Sequence, residues 1–548
     1  MTPVYQLRVS DVLVYAAGVW LLVKLARRVT NRSAHGTKLR GPPSTSLIFG
    51  LNRELARSPN SGNLYHEWAA QYGPVYEIPT AFGGRKVILC DPKAVNYFYS
   101  MERSIYIKGK LLRTVIANIF GQGLLWAEGE DHKRQRKALT PAFSNAAIRR
   151  LTEVFYDSGY KLKTHWETMT DNAPAEGAII DVERWMNRVA LDSIGIAGFS
   201  HDFKTLDGEY SAVAAAFDSL NFEGQGIISN LAFMLGTAFP WLARMPTKRN
   251  RIMRGLRLSM STIADELLER TRREKSTHVS DETRDRSIIG LLLKAEEQDA
   301  ELRMDPGEVM AQMVNIRSHL KNPDFNEQLE CYETTSVSLT WALIELARNQ
   351  GMQTKLREEL NQFGATDPTW DQLVSSLPYL NAVVLEILRL HPPLGETTRQ
   401  AAVDDVLPVS EPITTAAGQV VDNIAIAKGT VVTVSIRGMN QTEVLWGPDA
   451  KEFKPERWLT LADDPVRAKE IQGHHHLITF LDGPRTCLGK SFALAEFKAV
   501  LSTLIRNFTF EFPDGPETEI ATHRALINRP KVAGEPGGIV PMRVRRAE

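Results

Sequence analysis

Five residues within one ten-residue stretch near the C-terminus constrain this chain most: Phe480, Gly483, Arg485, Cys487 and Gly489. A lone cysteine stands between two glycines, with an arginine two places before it. An apolar helical pattern follows through Leu488, Phe492, Ala495 and Ala499. A thiolate is a soft, strong donor to iron. It must be held deprotonated, and a helix N-terminus favours an anion through its free N–H groups and dipole. Glycine lets the backbone bend and approach where a side chain would clash. Arg485 supplies a permanent cation that can fork onto a carboxylate. The plain alternative is a half-buried free cysteine, the common fate of this residue type.

The chain has 548 residues, 43% hydrophobic and 24% charged, a globular profile. Its formal net charge is zero, which argues against bulk binding to nucleic acid. The three cysteines, Cys90, Cys331 and Cys487, cannot build a disulfide framework and fit a reducing compartment. An apolar run covers residues 12–23. At 1.5 Å per residue it spans roughly 18 Å, and the wider window 9–26 spans about 27 Å, close to a ~30 Å hydrocarbon core. Arg27, Arg28, Arg32, Lys38 and Arg40 follow, so the positive-inside rule places the body in the cytosol. A cleaved secretory signal would carry its charge on the other flank. A monotopic segment lying in the interface is a second possibility. The reading is therefore a membrane anchor at 1–26, a basic and proline-rich hinge at 27–45 with a break at Gly41, Pro42 and Pro43, and a body at 46–548.

Within the body, a turn and short strands fall at 72–78 and 86–89. Helical patterns dominate from about 130 to 400. β-Branched residues cluster at 420–436, and 508–512 alternates. The predicted class is mainly α with small β-sheets.

The loop of Phe480, Gly483, Arg485, Cys487 and Gly489 resembles the haem-binding loop of the cytochrome P-450 family. Other motifs agree. Glu386 and Arg389 share a helix face, and Arg457 follows in a Phe-Lys-Pro-Glu-Arg-Trp segment. The order resembles the family's structural Glu–Arg–Arg network. His132 and Arg136 are four residues apart on one face, with His132 where the family usually has tryptophan. Arg399 matches a further position. The resemblance implies that Cys487 ligates haem iron and that His132, Arg136 and Arg399 reach the haem propionates. It also implies that Phe480, Gly483, Arg485 and Gly489 shape the haem loop. Haem b would lie between a long distal helix and the helix after the cysteine.

The distal motif departs from the family. Glu333 and Thr334 match the acid–alcohol pair, which the resemblance makes the catalytic proton donors. Glu330 and Cys331 stand where small residues belong. Residues 314–329 are largely polar and include Asn322 and Pro323, about ten residues more than the family pattern. The segment is either an inserted loop that leaves the helix, or an unspliced stretch carried into translation.

The resemblance implies a haem-thiolate monooxygenase in the endoplasmic reticulum membrane, with a cytosolic catalytic domain. Electrons would come from an NADPH-dependent flavoprotein reductase, docked on the cysteine side near Lys133, Lys137, Lys451, Lys454 and Lys490. The substrate would be a lipophilic small molecule, met by residues 105–120, 393–398 and 525–528. The alternatives are a non-oxygenating isomerase or dehydratase, and a haem-binding protein impaired by its distal helix.

Overall fold

The computed structural model describes residues 36–46, 48–58, 61–119, 121–199, 201–209, 308, 330–364, 366–461, 466–525 and 527–547. The anchor expected at 1–26 and the polar segment 314–329 lie outside the described residues. Among the described residues no helix is long and apolar enough to cross a membrane.

The helices that shape the site are α1 (Pro92–Ser100), α2 (Gly129–Leu139), α3 (Asn145–Asp171), α4 (Val182–Phe199), α5 (Glu330–Arg348), α6 (Pro378–Leu390) and α7 (Lys490–Asn507). Their starts follow local chemistry. Asp91 accepts from Ala94 N at 2.8 Å and Pro92 occupies the first turn of α1. Ser144 caps α3 by accepting from Ala147 N. Helix α7 buries nearly its whole surface, including Ala499, Val500, Leu501, Leu504 and Ile505, so it is a core helix. It packs on α3 and α5, with Phe155 meeting Phe492 edge-on at 4.9 Å. Helix α5 packs along α4 and buries Leu339, Ala342, Leu343 and Leu346.

The strands are β1 (Val75–Thr80), β2 (Gly84–Leu89), β3 (Tyr106–Ile107), β4 (Ala178–Asp181), β5 (Glu396–Ala401), β6 (Asp405–Thr414), β7 (Val420–Ile426), β8 (Val431–Ser435), β9 (Phe508–Glu511), β10 (Ile520–His523), β11 (Arg529–Val532) and β12 (Pro541–Arg546). Sheet order is β1-β2-β8-β5-β3 in the largest sheet and β4-β12-β9 in the next, with hairpins β6–β7 and β10–β11. In the largest sheet β2 and β8 run parallel, Lys86 opposite Val431. The result is the predicted mainly α architecture with small, separate sheets.

The C-terminal part of the expected hinge hydrogen-bonds to neighbouring strands. Thr37 N donates to Ala425 O, Ala416 N to Lys38 O and Glu77 N to Arg40 O, each at 2.9 Å. Leu39 is buried. A Cβ on Gly41 would lie 1.8 Å from Glu77 O, so glycine alone lets this segment lie against β1. Residues 37–41 are part of the body, fastened by backbone hydrogen bonds to β1 and the β6–β7 hairpin.

Candidate active site

The Glu386 cluster braces the loop region. Arg389 Nε and Nη2 donate to the two Glu386 oxygens at 2.8 Å, and Arg457 Nε donates to Oε1 at 3.0 Å. Lys454 N and Trp458 Nε1 complete the shell at 2.9 Å each. Glu386, Arg389 and Arg457 are all buried. Such a set is stable only when complete, because one missing partner leaves an uncompensated charge.

The cysteine loop runs from Phe480 to Gly489. Cys487 N donates to Phe480 O at 2.8 Å, which closes the loop on itself. Leu481 is held at φ +58°, a strained region for a non-glycine residue. Gly483 has φ +63°, and a Cβ there would lie 2.5 Å from Tyr99 O in α1. Gly483 thus seats the loop on α1 and does not line the cavity. Gly489 has an ordinary φ of −80° and open surroundings, so the expected crowding is absent there. It lines the cavity, and the absence of a side chain keeps that space open.

That cavity has a volume of about 340 Å³. Cys487 opens onto it, with Phe480, Leu488, Phe492 and Phe497 around it. Thr334, Thr335 and Ser338 enter from α5, and His132, Arg136 and Leu139 from α2. Leu124, Leu125, Phe143, Ile194 and Leu394 make much of the remaining wall apolar. Of the expected substrate segments, 105–120 contributes Lys108, and 393–398 contributes Pro393 and Leu394. No described residue of 525–528 reaches the cavity.

Basic side chains gather in the cavity wall. Lys108, His132, Arg136, Arg399 and Arg485 all line the cavity. Arg485 Nη1 donates to Ala127 O at 3.2 Å, and its Nη2 pairs with Glu128. Lys108 Nζ lies 3.2 Å from Glu128 Oε1. Arg399 Nη1 donates to Thr397 Oγ1 at 3.0 Å, and its Nε lies 2.8 Å from Glu102 Oε1 without an aligned hydrogen bond. Burial and the Arg485, Lys108, Arg136 and Arg103 cations push His132 down to about 3, so its ring is neutral. Burial, then Arg485, pushes Lys108 down to about 7. Burial pushes the Cys487 thiol up, and Gly489 N–H, Arg136 and Lys490 pull it back.

Thr334 and Glu333 face different ways. Thr334 lines the cavity; Glu333 is fully buried outside it. Arg529 in β11 donates to Glu333 Oε1 from Nη2 at 2.5 Å and from Nε at 3.1 Å, and to Glu183 Oε1 from Nη1 at 3.2 Å. Glu183 accepts from Asn187 Nδ2 at 2.6 Å, and Ser336 Oγ donates to Asn187 Oδ1 at 2.6 Å. A polar chain therefore ties α5 to α4 and β11. Glu333, expected from the resemblance to relay protons, has its carboxylate held by an arginine distant in sequence.

These residues fit haem. A thiol opens onto a largely apolar cavity that cations also line, and the buried Nε atoms of Arg399 and Arg485 make no aligned hydrogen bond. This donor set suits a flat apolar group with an iron centre and a carboxylate-bearing edge. The sequence reading missed Lys108, Glu102, Glu128, Thr335 and Arg529. Only Lys108 carried a signal, since it falls in a segment flagged for the pocket.

The fold and the site define a haem-thiolate protein. The family profile described as "Cytochrome P450" matches residues 40–533. Cytochrome P450 monooxygenase claP of Ampulloclitocybe clavipes is 54% identical over the full length of both chains, as is claQ of the same fungus. Cytochrome P450 monooxygenase 128 of Postia placenta is 35% identical, covering 91% of this chain and 90% of that one. The chain belongs to the cytochrome P450 family, is an oxidoreductase, and takes haem b with a cysteine thiolate ligand.

Proposed function

We propose that this chain is a membrane-anchored monooxygenase that inserts one oxygen atom of dioxygen into a lipophilic substrate, using electrons from an NADPH-dependent flavoprotein reductase. The observation that carries the reading is one cavity shared by Cys487, Thr334 and an apolar wall. The names of the relatives, all monooxygenases, support oxygenation over rearrangement.

When bound, haem supplies an iron centre that activates dioxygen with two electrons and two protons, releasing water and an oxygen atom for the substrate. Cys487 would supply the thiolate that holds the iron. Phe480, Gly483 and Gly489 set the loop that aims it. Arg399, Arg485, Arg136 and Lys108 would hold the group's carboxylates as donors, and His132 would add a hydrogen bond. Leu124, Leu125, Ile194 and Leu394 exclude water and select an apolar substrate. Thr334 Oγ1 presents a hydroxyl proton to the cavity, and Ser338 Oγ donates to the Thr334 carbonyl at 2.9 Å, fixing that turn of α5. Glu333 relays protons only after its contact with Arg529 loosens.

The proposed domain order is an anchor at 1–26, a short basic linker, and the catalytic body. The apolar run and its basic flank support placement in the endoplasmic reticulum membrane. The reductase would dock on the cysteine side. Lys133, Lys451 and Lys454 are already paired there with Glu130, Glu443 and Asp449, which weakens a purely electrostatic dock. The test is reconstitution with a reductase, lipophilic substrates and NADPH. Oxygenated product is expected from the native chain. Cys487→Ser should lose both product and the red-shifted Soret band of the ferrous carbonyl complex; retention of that band would refute the ligand assignment.

A further inference from the structure

The basic side chains of the cavity wall are backed by two carboxylates. Glu128 takes Arg485 and Lys108, and Glu102 takes Arg399. Glu102 lies just after α1, where its N–H donates to Tyr99 O at 3.3 Å, the carbonyl against which Gly483 of the cysteine loop is seated. Its side chain is 0% exposed, and Oε1 lies 2.8 Å from Arg399 Nε in β5. Among the described residues no donor is aligned on either Glu102 oxygen. Burial raises the Glu102 carboxyl, and Arg399, then Arg485 and Lys108, pull it back. Its partners are therefore charges and not a hydrogen-bond shell, in contrast with Glu386. Arg399 is also oriented without Glu102. Its Nη1 donates to Thr397 Oγ1 at 3.0 Å and to Thr398 O at 2.9 Å, both in its own strand. What Glu102 adds to Arg399 is charge more than position.

We infer that Glu102 is the counter-charge of Arg399 and that it lowers the reduction potential of haem held against this wall. The inference rests on the haem assignment and goes beyond the proposed oxygenation. Reduction adds one electron, which takes ferric haem to ferrous. The energy of that electron includes its Coulomb interaction with every fixed charge nearby, and a dry site screens such charges weakly. Arg399 lines the cavity, so its cation favours the added electron. Glu102 does not line the cavity; it sits behind Arg399 and opposes that effect. Burial and fixed charge around haem are among the means by which a protein sets its potential. Glu102 is thus a tuning residue that acts through Arg399 and touches neither substrate nor iron.

The test is a spectroelectrochemical titration of the haem-loaded full chain, with no substrate, reductase or turnover. Glu102→Gln keeps the shape and removes the charge. It should move the ferric–ferrous potential upward, so that at the native midpoint ferrous haem exceeds ferric several-fold. Arg399→Gln should move the potential downward. The two changes together should return it close to native, and Glu102→Asp, which keeps the charge, should stay close to native throughout. A merely structural role for Glu102 does not give shifts of opposite sign that cancel in the double variant. Glu102→Gln should load haem, because Arg399 keeps its contacts to Thr397 and Thr398. If it loads none, the double variant decides: haem loading with a near-native potential supports the pairing, and failure to load or a displaced potential overturns it. A loaded Glu102→Gln with the native potential, or a lower one, overturns it as well. Failure of the oxygenation reading looks different: the potentials shift as expected, and the native chain with reductase and NADPH forms no oxygenated product.

Discussion

Glu386 accepts from two arginines, an indole and a backbone amide, all in the dry interior. Glu386→Ala would leave Arg389 with only carbonyl partners such as Asn440 O and Glu452 O. The expected cost is about 3–5 kcal/mol, the typical penalty for a buried charge that loses its partner. Little haem-loaded protein should be recovered, and stable, fully loaded protein that lacks only turnover would contradict a structural role. Arg529 presents the reverse case, one guanidinium between Glu333 and Glu183. Arg529→Leu strands two buried carboxylates, so denaturant unfolding should show a loss of about 3–5 kcal/mol. Arg529→Lys should lose less, since it keeps the charge and gives up the fork. An unchanged midpoint in Arg529→Leu would show that the ion pairs contribute nothing net.

At the scale of elements, the seating of the cysteine loop depends on one of its own residues. Gly483→Ala meets both a positive φ and the Tyr99 carbonyl. It should destabilise by more than about 1 kcal/mol, because neither strain can be relieved without moving α1 or the loop. Haem retention on dilution gives a direct measure, and a variant that holds haem like the native chain would count against this role. Helix α5 presents a second dependence. It begins at Glu330, one turn before Thr334. Upstream, Glu308 is fixed to α2 by Arg134 Nη1 at 3.0 Å and Gln135 Nε2 at 2.9 Å. Removing about ten residues of 314–329 and placing Ala-Gly at Glu330 and Cys331 should raise product formed per NADPH, because small residues leave room at a helix kink. Equal coupling in the two proteins would show that the native segment is tolerated.

At the scale of the molecule, the body is fastened from Thr37 onward by hydrogen bonds to β1 and the β6–β7 hairpin. Deleting residues 1–26 therefore touches none of these contacts. The shortened protein should move toward the soluble fraction with its haem band intact. Loss of haem on deletion would show that the segment supports the fold, and a secreted, cleaved product from the full chain would refute an anchor.

Much of this protein was written in local sequence. The cysteine loop, the Glu386–Arg389 pair and the start of α7 were legible because each needs particular residue types at short, fixed spacing: a thiol before a helix, charges on one face, glycine where φ turns positive. The mainly α class was legible from periodicity for the same reason. Partners brought together across the chain were not. Arg529 is 196 residues from the Glu333 it holds, and Glu128 is 357 from Arg485. Nothing in the residues around Glu333 specifies whether its carboxylate faces a cavity or an arginine. That choice depends on how β11 packs over α4 and α5. Sequence determined which groups could do chemistry here; tertiary packing decided which of them face the cavity, because burial and long-range pairing set charge, orientation and access together.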